Sequence, residues 1–205
     1  MNYFWIGLGG LTIIAALWWW ASGPVAHTNV PSNGTTIVAF GDSLVAGVGA
    51  TAGNDLVSQV AAAVGEPIVN LGNSGDTTRD ALARIDTVLA QDPKVVLVLF
   101  GGNDFLQNIP ETETFANLET IIKTIQGSGS AVLLLGVRGG VLRDNYKSEF
   151  ADLAQTYGTA HVSDVLDGLI TNPDLMSDRI HPNDTGYQLI ADRITPVLTQ
   201  LLSEQ

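Results

Sequence analysis

A chain of 205 residues has room for one catalytic-sized domain and a short appendage. Its formal charge of −12 repels phosphate backbones, which excludes nucleic acid as a partner class. Because it lacks cysteine, it can have neither a disulfide framework nor a thiolate metal site.

From Tyr3 to Ala26 no residue is charged, and Phe4 to Trp20 is almost wholly apolar. At about 1.5 Å per residue this core reaches roughly 25–30 Å, close to a bilayer crossing. Trp18, Trp19 and Trp20 gather at its end, where indoles favour the membrane–water boundary. Residues 1–22 read either as a single-pass membrane anchor or as a signal peptide cleaved near Ala21-Ser22-Gly23. The absence of Lys or Arg at the start and the bulky Trp before the cleavage point favour the anchor. The expected location is extracytoplasmic, periplasmic or cell-surface, with secretion after cleavage as the alternative. Residues 23–34, GPVAHTNVPSNG, have the Pro, Gly, Ser and Asn content of a tether, in which His27 is a linker residue. The domain is then 35–205.

Within it, short apolar runs alternate with helical patterns, the signature of a parallel sheet covered on both faces. Thr36 to Phe40 is the first strand, ending at Gly41. A helix follows over Asp55 to Val64, with Asn54 as N-cap and Gly65 as its stop. Pro67 to Leu71 is the second strand. The next helix is expected over Thr78 to Ala90, with Leu82, Ile85 and Leu89 inward. Lys94 to Phe100 is a continuous apolar run, buried on both faces. Glu113 to Gln126 carries Phe115, Leu118, Ile122 and Ile125 on one stripe, and Ala131 to Val137 is the fourth strand. A helix over Asn145 to Tyr157 and a weak strand at His161-Val162 follow. The terminal helix, Asp184 to Leu202, turns Ile190, Ile194, Val197 and Leu201 inward and should kink or break at Pro196.

Ligands in such sheets bind beyond the carboxyl ends of the strands, and the polar motifs of this chain fall there. Gly41-Asp42-Ser43-Leu44 follows the first strand, with Gly41 easing the turn. Alone, a serine at that place is a common turn residue. Asp178-Arg179-Ile180-His181-Pro182 offers an imidazole to deprotonate a hydroxyl and a carboxylate to hold the imidazole's other nitrogen. Asn73-Ser74-Gly75-Asp76 and Gly101-Gly102-Asn103-Asp104 follow the second and third strands. Acyl transfer builds a negative oxygen that needs donors, and the N–H groups of Ser43 and Gly75 with the Asn103 amide are suitable. Each loop alone could be a glycine turn, but four at successive strand ends make a chemical site.

These four blocks, GDSL, SGDT, GGND and DxxHPN, stand in the order found in the GDSL/SGNH hydrolases, which the chain resembles from Gly41 to Tyr187. The resemblance implies a three-layer α/β/α fold with a central parallel five-stranded sheet of flavodoxin-like type. It also implies Ser43 as nucleophile, Asp178 and His181 as its triad partners, and Ser43, Gly75 and Asn103 as the oxyanion hole. GDSLVAG at Gly41 to Gly47 and the Asn145-Tyr146…Phe150 segment are similar to the thioesterase I/lysophospholipase/arylesterase branch, which cleaves acyl esters and thioesters. No cofactor and no metal are expected. Asp42, Asp76 and Asp104 are spread over three loops without ligand spacing, and should instead bond loop backbones. His161 reads as structural, Arg138 as either a substrate contact or one half of an ion pair, and Gly139 to Tyr146 as a substrate-lining loop. A carbohydrate O-acetyl esterase or an inactive tethered binding module are the competing readings. An α/β-hydrolase is disfavoured by the missing G-x-S-x-G elbow, and a nucleotide site by the incomplete dinucleotide fingerprint.

Overall fold

The computed structural model describes residues 27–139 and 146–205. The expected anchor or signal segment, residues 1–22, lies outside the described residues. Among the described residues no helix is long and apolar enough to cross a membrane.

Five strands form the parallel sheet: β1 (Thr36–Gly41), β2 (Ile68–Gly72), β3 (Pro93–Leu99), β4 (Ala131–Leu135) and β5 (Ala160–Val162). Their order in the sheet is β2-β1-β3-β4-β5. That is the flavodoxin-like doubly wound order, whose connections leave to opposite faces on either side of β1 and β3. The helices are α1 (Ser43–Ala46), α2 (Leu56–Val64), α3 (Thr78–Ala83), α4 (Asp86–Leu89), α5 (Gly102–Leu106), α6 (Glu111–Gly127), α7 (Tyr146–Tyr157) and α8 (Asp184–Ser203). One outer layer pairs α2 with α8, and the other packs α3 on α6 and α6 on α7.

The central strands are buried as their apolar runs require. Every residue of β4 is buried, as is β3 apart from Lys94, and Phe40 meets Phe100 edge-to-face at 4.9 Å. Phe115, Leu118, Ile122 and Ile125 all face the core from α6, with Ile121 beside them.

Local differences from the sequence expectations have identifiable causes. Asp55, not Asn54, caps α2, because its carboxylate accepts from the Ser58 N–H at 3.0 Å. The expected helix over 78–90 is two short helices, α3 capped by the reciprocal Thr77–Asp80 bonds and α4 beyond a break at Arg84-Ile85. In α4 the fully buried residue is Val88, whereas Leu82, Ile85 and Leu89 are half-buried. Helix α8 runs unbroken through Pro196. Pro196 and Asp192, whose carbonyl loses its partner, are both exposed, so water can replace the missing N–H.

Residues 27–34, expected as a tether, are instead laid across the starting edge of the sheet. Thr28 N–H donates to Gly158 O at 2.8 Å, and Asn29 Nδ2 to Gln126 O and Ser130 O at 2.7 and 3.0 Å. Ser32 Oγ donates to the Gln205 side chain at 2.6 Å, and His27 Nδ1 lies 3.2 Å from Glu204. Pro, Gly and Asn suit a free linker, yet here the Thr28 N–H and the Asn29 amide find the carbonyls that precede β4 and β5.

Candidate active site

The loops after β1, β2 and β3 converge at the opposite edge, where the winding reverses. Gly41 ends β1 with an ordinary negative φ, so its need for glycine is space rather than turn geometry. An added Cβ would run into the Val45 side chain and come within 2.8 Å of the Leu99 carbonyl oxygen. Asp42 then caps α1, accepting from Leu44 N–H at 3.0 Å. Ser43 is thus the first residue of a helical turn, and its own N–H belongs to the group that a helix leaves unpaired.

The histidine comes from the loop before α8. Asn183 caps that helix by accepting from Gly186 N–H at 3.0 Å, and Ser177 N–H holds the His181 carbonyl at 2.9 Å. Asp178 accepts the N–H groups of Ile180 and His181 on Oδ1, both at 2.8 Å. Its Oδ2 lies 2.7 Å from His181 Nδ1, and His181 Nε2 lies 3.0 Å from Ser43 Oγ. The hydrogen bond with His181, then those from the two N–H groups, holds the Asp178 carboxyl down at about 2. An ionised carboxylate can only accept, so Nδ1 carries the proton and Nε2 is left to accept from the serine hydroxyl.

Asn103, on α5, gives one amide proton to the Asp76 carbonyl at 2.9 Å. The other is held only by a long 3.4 Å contact with Asp42 Oδ2. Gly75 has φ +90, a conformation that suits glycine, and an added Cβ there would meet nothing within 4 Å. Gly75 does not line the cavity over Ser43; the residue after it, Asp76, is the one that binds Asn103.

That cavity has a volume of about 260 Å³. Ser43, Asn103 and His181 share it with Leu106, Leu166, Ile170 and Ile180. Phe105, Leu106 and Ile180 stand exposed at its rim. These apolar residues are absent from the site read from the sequence. The sequence carries no separate signal for them, because an apolar pair directly after GGND reads equally well as core until its exposure is known. Of the expected lining loop, residues 140–145 lie outside the described residues, and Tyr146 is buried against Phe115. Val137 and Arg138, just before it, do line the cavity. Arg138 pairs with Asp164 at 2.6 Å and Asp167 at 3.0 Å.

The three loop aspartates are bound into the scaffold. Asp104 accepts from Thr78 N–H at 3.0 Å, Asp76 from Arg84 Nε at 2.6 Å, and Asp42 from Leu44. Among the described residues no cluster of His, Asp and Glu could hold a metal ion. His161 lies away from the cavity, stacked on Phe150, and burial pushes its imidazole pKa down.

A hydroxyl, an imidazole and a carboxylate in one hydrogen-bonded row at the switch point of a doubly wound sheet are the arrangement of a serine hydrolase. The pattern of the GDSL-like lipase/acylhydrolase family matches residues 39–189, and the chain belongs to that family. It is 29% identical to esterase TesA of Pseudomonas aeruginosa, over 82% of this chain and 89% of that one. It is 28% identical to thioesterase 1/protease 1/lysophospholipase L1 of Escherichia coli K12, over 82% and 85%. Among solved structures, one of TesA superposes with a TM-score of 0.73 at 28% identity, covering 82% of this chain and 99% of that one. The SGNH-hydrolase esterase AlinE4 gives 0.65 at 32% identity, covering 83% and 97%.

Proposed function

We propose that the chain hydrolyses acyl esters or thioesters through an acyl-enzyme on Ser43, with His181 as general base and Asp178 as its orienting carboxylate. The observation that carries this reading is the 3.0 Å approach of Ser43 Oγ to His181 Nε2, with Asp178 behind the ring at 2.7 Å. His181 takes the hydroxyl proton as Ser43 Oγ attacks the acyl carbon, then gives it to the departing alcohol or thiol. Water repeats the sequence on the acyl-enzyme and frees Ser43. The negative oxygen is met by the Ser43 N–H and by the Asn103 amide proton not given to Asp76, and the Gly75 N–H, in the loop just beyond the cavity lining, is assigned as the third donor. The relatives named as esterases and thioesterases support this substrate class, and the leucine and isoleucine walls of the cavity suit an aliphatic acyl group over an acetylated sugar.

Ser43→Ala is expected to remove turnover of p-nitrophenyl esters while leaving the circular dichroism spectrum intact. Retained turnover would overturn the assignment.

The same proposal takes residues 35–205 as the hydrolase domain and the apolar stretch ahead of it as an anchor that holds the domain outside the cytoplasm. A reporter fused after Gln205 that shows activity only in the cytoplasm rules this out.

A further inference from the structure

A cation inside the fold lies behind the site, in the break between α3 and α4. Arg84 donates through Nε to Asp76 Oδ2 at 2.6 Å, through Nη1 to Leu71 O at 2.9 Å and through Nη2 to Gly41 O at 3.0 Å. Its guanidinium lies over the Phe40 ring, 4.5 Å from the centroid. The three acceptors belong to the end of β1, the end of β2 and the loop that carries Gly75. Gly41 O takes a second bond from Asn73 N–H at 3.0 Å, and Asn73 Nδ2 holds the other oxygen of Asp76. Asp76 in turn presents its main-chain oxygen to Asn103 Nδ2 at 2.9 Å. One planar fork therefore joins the strand that delivers Ser43, two residues past Gly41, to the loop that aims the Asn103 amide.

We infer that Arg84 is a positioning residue that sets the Asn103 oxyanion donor relative to the nucleophile. It acts through Asp76 and touches neither substrate nor reacting atoms. The inference rests on the roles proposed above for Ser43 and Asn103. A lysine would keep the charge, but its single ammonium cannot serve three acceptors on three elements in the geometry of a flat fork. Donor misplacement weakens binding of the negative oxygen in the transition state and barely alters binding of the ground-state ester.

The test compares Arg84→Lys, Asn103→Ala and the double variant on a p-nitrophenyl ester. Active sites are first counted by fluorophosphonate labelling, so that kcat refers to folded, competent enzyme. For Asn103→Ala the loss in kcat should be about 10²–10³-fold, as for one oxyanion donor. For Arg84→Lys it should be roughly 10–100-fold, with KM within about twofold of the parent. The double variant should be no slower than Asn103→Ala, because Arg84 acts through the amide that Asn103→Ala has already removed. Should Arg84→Lys prove insoluble, Asp76→Asn keeps the main-chain acceptor but loses the ion pair, and should show the same split.

A purely structural strut predicts otherwise: a lower melting temperature, fewer titrated sites and unchanged kcat per site. That result, or losses that multiply in the double variant, overturns the inference. Absence of label on Ser43 in the parent enzyme would instead overturn the proposed function itself.

Discussion

At Asp42, one carboxylate is asked to do two things. It caps the turn that carries Ser43, and it is almost fully buried, with 3% of its surface exposed. Burial raises its pKa to about 7, against the opposing pull of the Leu44 N–H and of the His181 charge, and nearby Asp104 adds to the rise. Between the unfolded value near 4 and the folded value near 7, the native state keeps a proton that the unfolded chain has lost. Stability contributed at this site therefore falls as pH rises through that window and levels off above it. Asp42→Asn should remove the dependence. In urea melts the variant should gain on the parent enzyme from pH 4 to pH 7 and hold a constant lead above; a pH-independent difference would refute this. Asp178 has the opposite sign. Its lowered pKa means that the stability it adds is present above about pH 4 and fades as pH drops toward 2. Half-exposed as it is, its contribution is screened by solvent.

The helices show what periodicity can and cannot carry. The stripe of α6 was readable because it runs through one straight helix onto the sheet. The division between α3 and α4 was not readable, since Leu82, Ile85 and Leu89 keep helical spacing across the break. The cause is tertiary: Arg84 ends α3, with its side chain bonded to the ends of β1 and β2. At Pro196 the local rule was outweighed, because α8 buries Ile190, Ile194, Leu198 and Leu201 on both sides of the proline and the lost bond faces water. Pro196→Ala should restore that bond and raise stability by on the order of 1–3 kcal/mol in denaturant melts, with kcat unchanged. A loss of stability would show that the proline fits α8 without cost.

Across the whole molecule, the alternation of strands and helices and the four polar blocks at strand ends were legible, so the fold class and the polar residues that meet at the candidate site could be named from the sequence. Strand order came only through the family resemblance, which implied the flavodoxin-like type; alternation alone does not fix it, because β1 pairs with both β2 and β3 through contacts far apart in the chain. The apolar rim was hidden, since Phe105, Leu106 and Ile180 look like core residues until their exposure is seen. The chain as a whole carries a net charge of −12. A cationic acyl ester should be drawn in faster than an anionic one, with a ratio of kcat/KM that shrinks as sodium chloride rises from about 10 to 500 mM. A ratio indifferent to salt would mean that the field at the mouth does not follow the total charge.

The segment laid over the starting edge of the sheet brings His27 next to Glu204, and Ser32 next to Gln205, at the pole away from the cavity. Whatever is attached through Gln205, whether an affinity tag or a solid support, is joined to the back of the described domain, and the chain ahead of His27 enters it on the same side. An immobilised preparation should then keep its opening turned to bulk liquid, free to meet dissolved esters, and turned away from the surface that holds it.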